Sequence, residues 1–362
     1  MTTSTTHSLK LLFLSTPIGP LGSGIGGGVE LTLKNIAQEM LKRGHHVTVV
    51  APRGSVLEGI PVVEIAGELQ IPAQTQSRTD AITIAKDSVL ANMWDYARQA
   101  QADYDVMVNF SYDWLPFYLT PFFSCAIAHL VSMGSLSDVM DEVIEKVAIQ
   151  FPGTIGVHSR TQAETFSFAD RCRSLGNGMD LSLYQFCAQP GSWLASVGRI
   201  APEKGIEDAV AAAQMTGMPL KVLGLMQHPQ YWQQICQDYP EAPIEYLGFL
   251  PTTELQQVLR QCRALLVTPR WVEAFGNVVI EALACGVPVI AYRRGGPAEI
   301  VEDGKTGFIV EPDSVDGLVA AIARLDEIDR RACRHQAEAN YSLQALGDRM
   351  EQWFWDILRS RK

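Results

Sequence analysis

The stretch TPRWVEAFGNVVIEALACGVPVIA, from Thr268 to Ala291, decides how the chain is read. ALLVTP (264–269) is a short apolar run ending in proline, VVIEALACG (278–286) has helical spacing, and VPVIAY (287–292) is apolar again. Strand, loop, helix and strand in that order make a parallel α/β unit, with Gly276 and Asn277 opening the helix and Gly286 closing it. Two glutamates sit oddly in so apolar a segment. Glu273 falls in the loop before the helix and Glu281 falls inside it. A buried carboxylate is costly unless something pairs with it or hydrogen-bonds to it. One reading is structural, with Glu281 bridged to Arg293 or Arg294 and Glu273 left in solvent.

The alternation extends along the whole chain. KLLFLS (10–15), HHVTVVAP (45–52), YDVMVNF (104–110), CAIAHLVS (125–132) and GTIGVHS (153–159) read as buried parallel strands, and VELTLKNIAQEMLKRG (29–44) as an amphipathic helix. A second series follows with SWLASVGR (192–199), LKVLGL (220–225), IEYLGF (244–249), the two strands already quoted and TGFIV (306–310). GNGMDLSLYQFCAQPG (176–191), rich in turn residues and without periodicity, reads as the linker between them. The expected fold is α/β: two doubly wound, Rossmann-like domains, residues 1–185 and 186–340, facing across a cleft. The aromatic helical tail 341–362 is expected to pack back on the first domain.

Composition narrows the partners. The chain has 362 residues, 47% hydrophobic and 19% charged, enough for two cores. Its net charge is −11; residues 1–185 hold 12 Lys+Arg against 18 Asp+Glu, and the remainder 17 against 22. Neither half is basic, which argues against a nucleic-acid groove or an anionic membrane surface. The seven cysteines are scattered with no C-x-x-C, so a disulfide framework or zinc site is not expected and a reducing compartment is. MTTSTTHSLKLLFLSTP has neither the basic start nor the apolar length of a leader or membrane span. These features predict a soluble cytoplasmic protein with small-molecule partners.

Ligands of open α/β sheets bind beyond the carboxyl ends of the strands. After the first strand, Gly22, Gly24 and Gly27 match G-x-G-x-x-G, yet VVAP ends the second strand without the acidic residue a dinucleotide ribose requires. Gly27 and Gly28 at the helix start remain suited to a phosphate. In GRIAPEKG, Arg199 and Lys204 suit a diphosphate, one as a fork and the other as a point charge; the plainer reading is a surface pair with Glu203 or Glu207. Eight residues at helical rise span ~12 Å. Glu273 and Glu281 then fit the two ends of a nucleoside-diphosphate sugar, with the helix N-terminus between them facing the phosphates. Asp103 and Asp105 form a D-x-D at the wrong end of a strand, and EDGKTG lacks the first glycine of a P-loop. Neither is taken as a site.

With Glu273 and Glu281 in E-x7-E spacing around AFG, followed by EALACGVPVIAYRRGGPAEIVEDGKTGFIVEP, the chain resembles glycosyltransferase family 4. SVGRIAPEKG, the glycine loop before VELTL and NGMDLSLYQF belong to the same resemblance, which is loose between residues 55 and 125. It implies the GT-B fold and sugar transfer with retention of configuration, without a catalytic metal or other cofactor. It further implies Glu281 on the nucleotide ribose, Glu273 on donor-sugar hydroxyls, and Arg199 with Lys204 on the diphosphate. Phe275, Gly276 and Asn277 would offer backbone N–H groups, Leu250 would border the base, and His129 would touch the sugar or acceptor.

The acceptor side is read from NFSYDWLPFYLTPFF (109–123), where Asp113 and Trp114 follow a strand. A flat heterocycle can stack on the indole while the carboxylate accepts two N–H bonds from a 2-amino-pyrimidinone edge. The residues themselves support only a small or neutral acceptor. GPLGSGIGGGVELTL, YDWLPFYLTPFF, AHLVSMGSLSDVMD and TPRWVEAFGNVVIEALACG further resemble the pteridine branch of the family, which uses UDP-glucose and tetrahydrobiopterin. A lipid or sugar acceptor, an epimerase of the same fold and a non-catalytic nucleotide-sugar binder are the alternatives.

Overall fold

Strands covered by helices on both faces read as unbroken apolar runs. The central strands are built that way: Leu11, Leu12, Phe13 and Leu14 of β1 (Lys10–Leu14) are all wholly enclosed. The computed structural model describes residues 8–23, 27–71 and 77–361, which form two units, Met1–Asn177 with Leu343–Lys362 and Gly178–Ser342.

In the first unit β1 is followed by α1 (Gly27–Lys42), β2 (His46–Pro52), β3 (Val62–Ile65), α2 (Val89–Ala100), β4 (Val106–Asn109) and α3 (Trp114–Leu119). Then come β5 (Ala126–Val131), α4 (Asp138–Gln150), β6 (Ile155–Val157), α5 (Arg160–Ala163) and β7 (Arg173–Ser174). All pairings are parallel and the order is β3-β2-β1-β4-β5-β6-β7. The order reverses between β1 and β4, the place where such sheets open a binding crevice. Edge strand β7, Arg173–Ser174, had no apolar run to announce it.

The second unit contains β8 (Leu194–Val197), α6 (Ile206–Thr216), β9 (Leu220–Leu223), α7 (Pro229–Asp238), β10 (Ile244–Gly248), α8 (Thr252–Leu259) and β11 (Ala264–Val267). It continues with α9 (Asn277–Ala284), β12 (Val289–Tyr292), α10 (Gly296–Ile300), β13 (Gly307–Val310), α11 (Val315–Ala323) and α12 (Arg330–Tyr341). Its parallel sheet runs β10-β9-β8-β11-β12-β13, with the reversal between β8 and β11. Arg330, 7% exposed, forms no ion pair among the described residues; its guanidinium donates to the carbonyls of Cys187 (2.7 Å), Cys262 (3.0 Å) and Arg260 (2.7 Å).

The last helix, α13 (Leu343–Ser360), belongs to the first unit. Leu346, Met350, Trp353, Phe354 and Ile357 recur at helical spacing and enter the same core as Leu11, Phe13 and Ile36. Arg43 beyond α1 ties α13 down through Asp348 (2.8 Å) and Glu351 (2.9 Å). The unit boundaries fall at 177/178 and 342/343 rather than at 185/186 and 340/341. The first displacement has a packing cause, because Met179, Leu181 and Tyr184 are buried in the core of the second unit.

Candidate functional site

The loops after β8 and β11 meet at the reversal of the second sheet. Gly205 lies at φ 61°, and a Cβ there would come 2.1 Å from the Thr268 carbonyl oxygen, so only glycine allows the approach. Thr268 Oγ1 donates to the Gly205 carbonyl (2.8 Å) and the Arg270 backbone N–H to that of Glu203 (2.9 Å). This stitching brings Lys204 and Glu273 together, with Nζ 2.5 Å from Oε2. The Trp271 indole N–H donates to the same oxygen (3.0 Å), and Lys204 Nζ stands 5.4 Å from the indole ring centre. Arg199 has the plainer partner foreseen for it, pairing with Glu203 (2.9 Å) and donating to Gln227.

Glu273 is held from behind. Gly295 has φ 73°, and a Cβ on it would lie 2.5 Å from both the nitrogen and the carbonyl oxygen of Glu273. The Gly296 N–H donates to that carbonyl (2.7 Å). Arg270 clamps the loop through Glu207 (3.1 Å), Asp208 (2.7 Å) and Asp313. Phe275, buried, meets Tyr341 edge-on at 6.0 Å, Gly276 caps α9, and Asn277 is its first residue.

Glu281 does not pair with an arginine. Arg293 is taken by Glu311 (2.8 Å) and Arg294 by Asp313 (2.9 Å). The Tyr184 hydroxyl donates to Glu281 Oε1 instead (2.9 Å). Burial pushes the Glu281 carboxyl up to about 7, against the opposing pull of that hydrogen bond. Leu250 borders a groove of 380 Å³ with Trp193, Lys221 and α8, which none of Arg199, Lys204, Glu273 or Glu281 lines.

In the first unit, Gly27 and Gly28 are exposed and open α1, while Gly24 lies outside the described residues. Asp113 and Trp114 follow β4, beside the reversal of that sheet. The Trp114 ring stacks on Tyr118, 4.4 Å between centres. Ser111 Oγ donates to Asp113 Oδ2, and burial pushes the carboxyl up to about 6. Asp105 of the D-x-D accepts from the Lys10 N–H (2.7 Å), at the amino end of β1.

The expectation that His129 touches sugar or acceptor is corrected. The residue is wholly enclosed and stacked on Phe117 at 4.3 Å. Thr120 Oγ1 donates to the Pro116 carbonyl, so it accepts from His129 Nε2 (2.9 Å). Nδ1 is then bare and accepts from Asn109 Nδ2 (3.1 Å). Burial drives the imidazole down to about 3, so it is neutral and structural. Tyr184, Arg270 and Trp271 escaped the sequence reading. Tyr184 sat in the presumed linker; its aromatic ring beside Met179, Leu181 and Leu183 could have marked it as buried.

Residues 191–342 match the family model described as Glycosyl transferases group 1. Sucrose synthase of Acidithiobacillus caldus is 37% identical over 108 residues, 30% of this chain and 13% of that one. Glycogen synthase of Mycobacterium tuberculosis is 33% identical over 174 residues, 45% of this chain and 41% of that one. The chain thus matches less than half the length of these relatives. Sucrose-phosphate synthase of Thermosynechococcus elongatus has a similar structure, with TM-score 0.78, 20% identity and 97% of this chain and 100% of that one covered. Anabaena HepE, solved with UDP and glucose, gives 0.74 at 19% identity over 95% and 98%. Among the described residues no helix is long and apolar enough to cross a membrane. The fold is that of the GT-B glycosyltransferases, and residues 191–342 match the model of glycosyl transferases group 1.

Proposed function

We propose that the protein transfers glucose from UDP-glucose to the side-chain hydroxyl of a reduced pterin of the tetrahydrobiopterin class, with retention. The observation that carries the donor half is the Lys204–Glu273 pair, held between β8 and β11 at the start of α9. It sets a phosphate-binding cation beside a carboxylate fit for sugar hydroxyls. The sucrose and glycogen synthases matched by this domain, and the UDP-glucose complex of Anabaena HepE, support a nucleotide-sugar donor. Phe275, Gly276 and Asn277 fit backbone contacts to the phosphates, and Glu281 with Tyr184 fits the ribose.

In the reaction, the bond from the anomeric carbon to the diphosphate oxygen breaks and one to the acceptor hydroxyl oxygen forms on the same face. The hydroxyl proton goes to the departing phosphate, whose charge Arg199, Lys204 and the α9 dipole stabilise. No metal takes part in this scheme. For the acceptor, Asp113 offers a carboxylate to N–H donors, and Trp114 an aromatic edge beside Tyr118. The pterin assignment rests on these two residues and on the resemblance of the four stretches given above.

Incubation with UDP-glucose, with and without tetrahydrobiopterin, tests the proposal through UDP release and product mass. A pterin heavier by one hexose is expected. UDP release that ignores the pterin keeps the donor and sends the acceptor search to lipids and sugars. No consumption of UDP-glucose refutes the donor, leaving an epimerase or a non-catalytic binder.

A further inference from the structure

We propose that Trp271 is a positioning residue that fixes which oxygen of Glu273 meets the donor sugar. The inference rests on the donor reading given above and adds to it a residue that the Lys204–Glu273 pair alone does not require.

The two oxygens of Glu273 are treated differently. Oε2 receives both the Lys204 ammonium (2.5 Å) and the Trp271 indole N–H (3.0 Å). Among the described residues Oε1 has no partner, and the side chain is 21% exposed, so the lone pairs of this oxygen are unused. A carboxylate anchored by one oxygen presents the other in a single direction, as hydroxyl recognition requires.

The two anchors have different fates when a nucleotide sugar arrives. Lys204 is a compact charge on a flexible stem, and the diphosphate competes with Glu273 for it. Trp271 has one rigid N–H and no second acceptor to serve. As Lys204 swings to the phosphates, the indole keeps Oε2 occupied and stops the carboxylate from turning. The ring centre also stands 5.4 Å from the ammonium in its present position. The Arg270 clamp beside it, bound to Glu207, Asp208 and Asp313, holds the tryptophan's backbone.

The test is a double-mutant cycle of W271F and E273Q on the full chain. It reads kcat/KM for UDP-glucose with tetrahydrobiopterin present, and calorimetric affinity for UDP alone. W271F keeps the ring and deletes the donor; a loss of roughly tenfold in kcat/KM is expected from one hydrogen bond to a charged group, with UDP affinity unchanged. In the E273Q background, where the indole can hold only an uncharged amide oxygen and no carboxylate is left to aim, W271F should cost much less than tenfold. W271Q, which restores an N–H without the ring, should recover part of the rate. Wild-type turnover by W271F, or losses that multiply in the double variant, overturns the role of Trp271 alone. A W271Q no faster than W271F shows that an N–H at this position does not restore the rate, and also overturns it. E273Q turning over like wild type, or a wild type that consumes no UDP-glucose, overturns the donor reading and this inference with it.

Discussion

Glu281→Gln removes a charge and preserves the shape of a side chain that accepts from Tyr184 Oη. The carboxyl lies near 7 in the folded chain against an ordinary value of 4.5, because burial disfavours its charged form. A group that holds its proton more tightly when folded gives its full stabilisation below pH 4.5 and loses it as the pH rises towards 7. That interval corresponds to about 3 kcal/mol at 1.36 kcal/mol per tenfold change. Solvent reaches this partly exposed residue, which reduces the figure to roughly 1–2 kcal/mol. For a unit of about 165 residues this is a shift of roughly 2–8 °C in melting temperature. Melting curves of wild type and E281Q at pH 5 and pH 8 give the answer, since other titrating groups cancel between the two chains. E281Q should melt higher at pH 8, and the gap should close towards pH 5. A gap independent of pH, or an E281Q that melts lower at pH 8, would refute the argument from burial.

Four further outcomes are expected. Asp113, raised to about 6, becomes a carboxylate as the pH climbs from 5 to 7, so the rate at low acceptor concentration should rise over that interval; D113N should flatten the profile. R330M strands the carbonyls of Cys187, Arg260 and Cys262 without donors, and should lower the urea stability of the second unit by ~3 kcal/mol or more. W353A empties a wholly buried site and frees the Gly153 carbonyl, which the indole N–H now meets at 2.7 Å; a loss of about 3–5 kcal/mol should appear as faster hydrogen exchange in the first unit. G295A adds a Cβ 2.5 Å from the Glu273 backbone and should cut transfer more than tenfold by initial rates, with a circular dichroism spectrum like that of wild type.

What the sequence revealed depended on range. Strands enclosed on both faces, such as Leu11–Leu14 and Val289–Tyr292, were visible because continuous apolarity is a local property. The edge strand Arg173–Ser174 was not, since two polar residues carry no such run, and Val62–Ile65 is short and interrupted by Glu64. At the site, Lys204 and Glu273 were each legible from their place after a strand. Their direct contact across 69 residues was not, because no spacing rule reports how two loops are stitched together. Tyr184 lies 97 residues from Glu281, in a stretch whose turn residues hid three buried side chains. His129 failed for the opposite reason. A histidine within a strand looks the same in sequence whether its ring nitrogens face a ligand or, as here, Asn109 and Thr120.

The place of α13 in the first unit has a consequence for how the chain is made. Leu346, Met350, Trp353, Phe354 and Ile357 complete a core whose other members lie between Leu9 and Leu175. At the pace of translation, 5–20 residues per second, synthesis of the intervening second unit takes roughly ten to thirty seconds. Throughout that interval the nascent sheet and the inner face of α1 lack their cover and offer an apolar surface to chaperones or to neighbouring chains. The second unit, whose residues are contiguous, need wait for nothing that follows it. In this polypeptide the domain begun first is finished last.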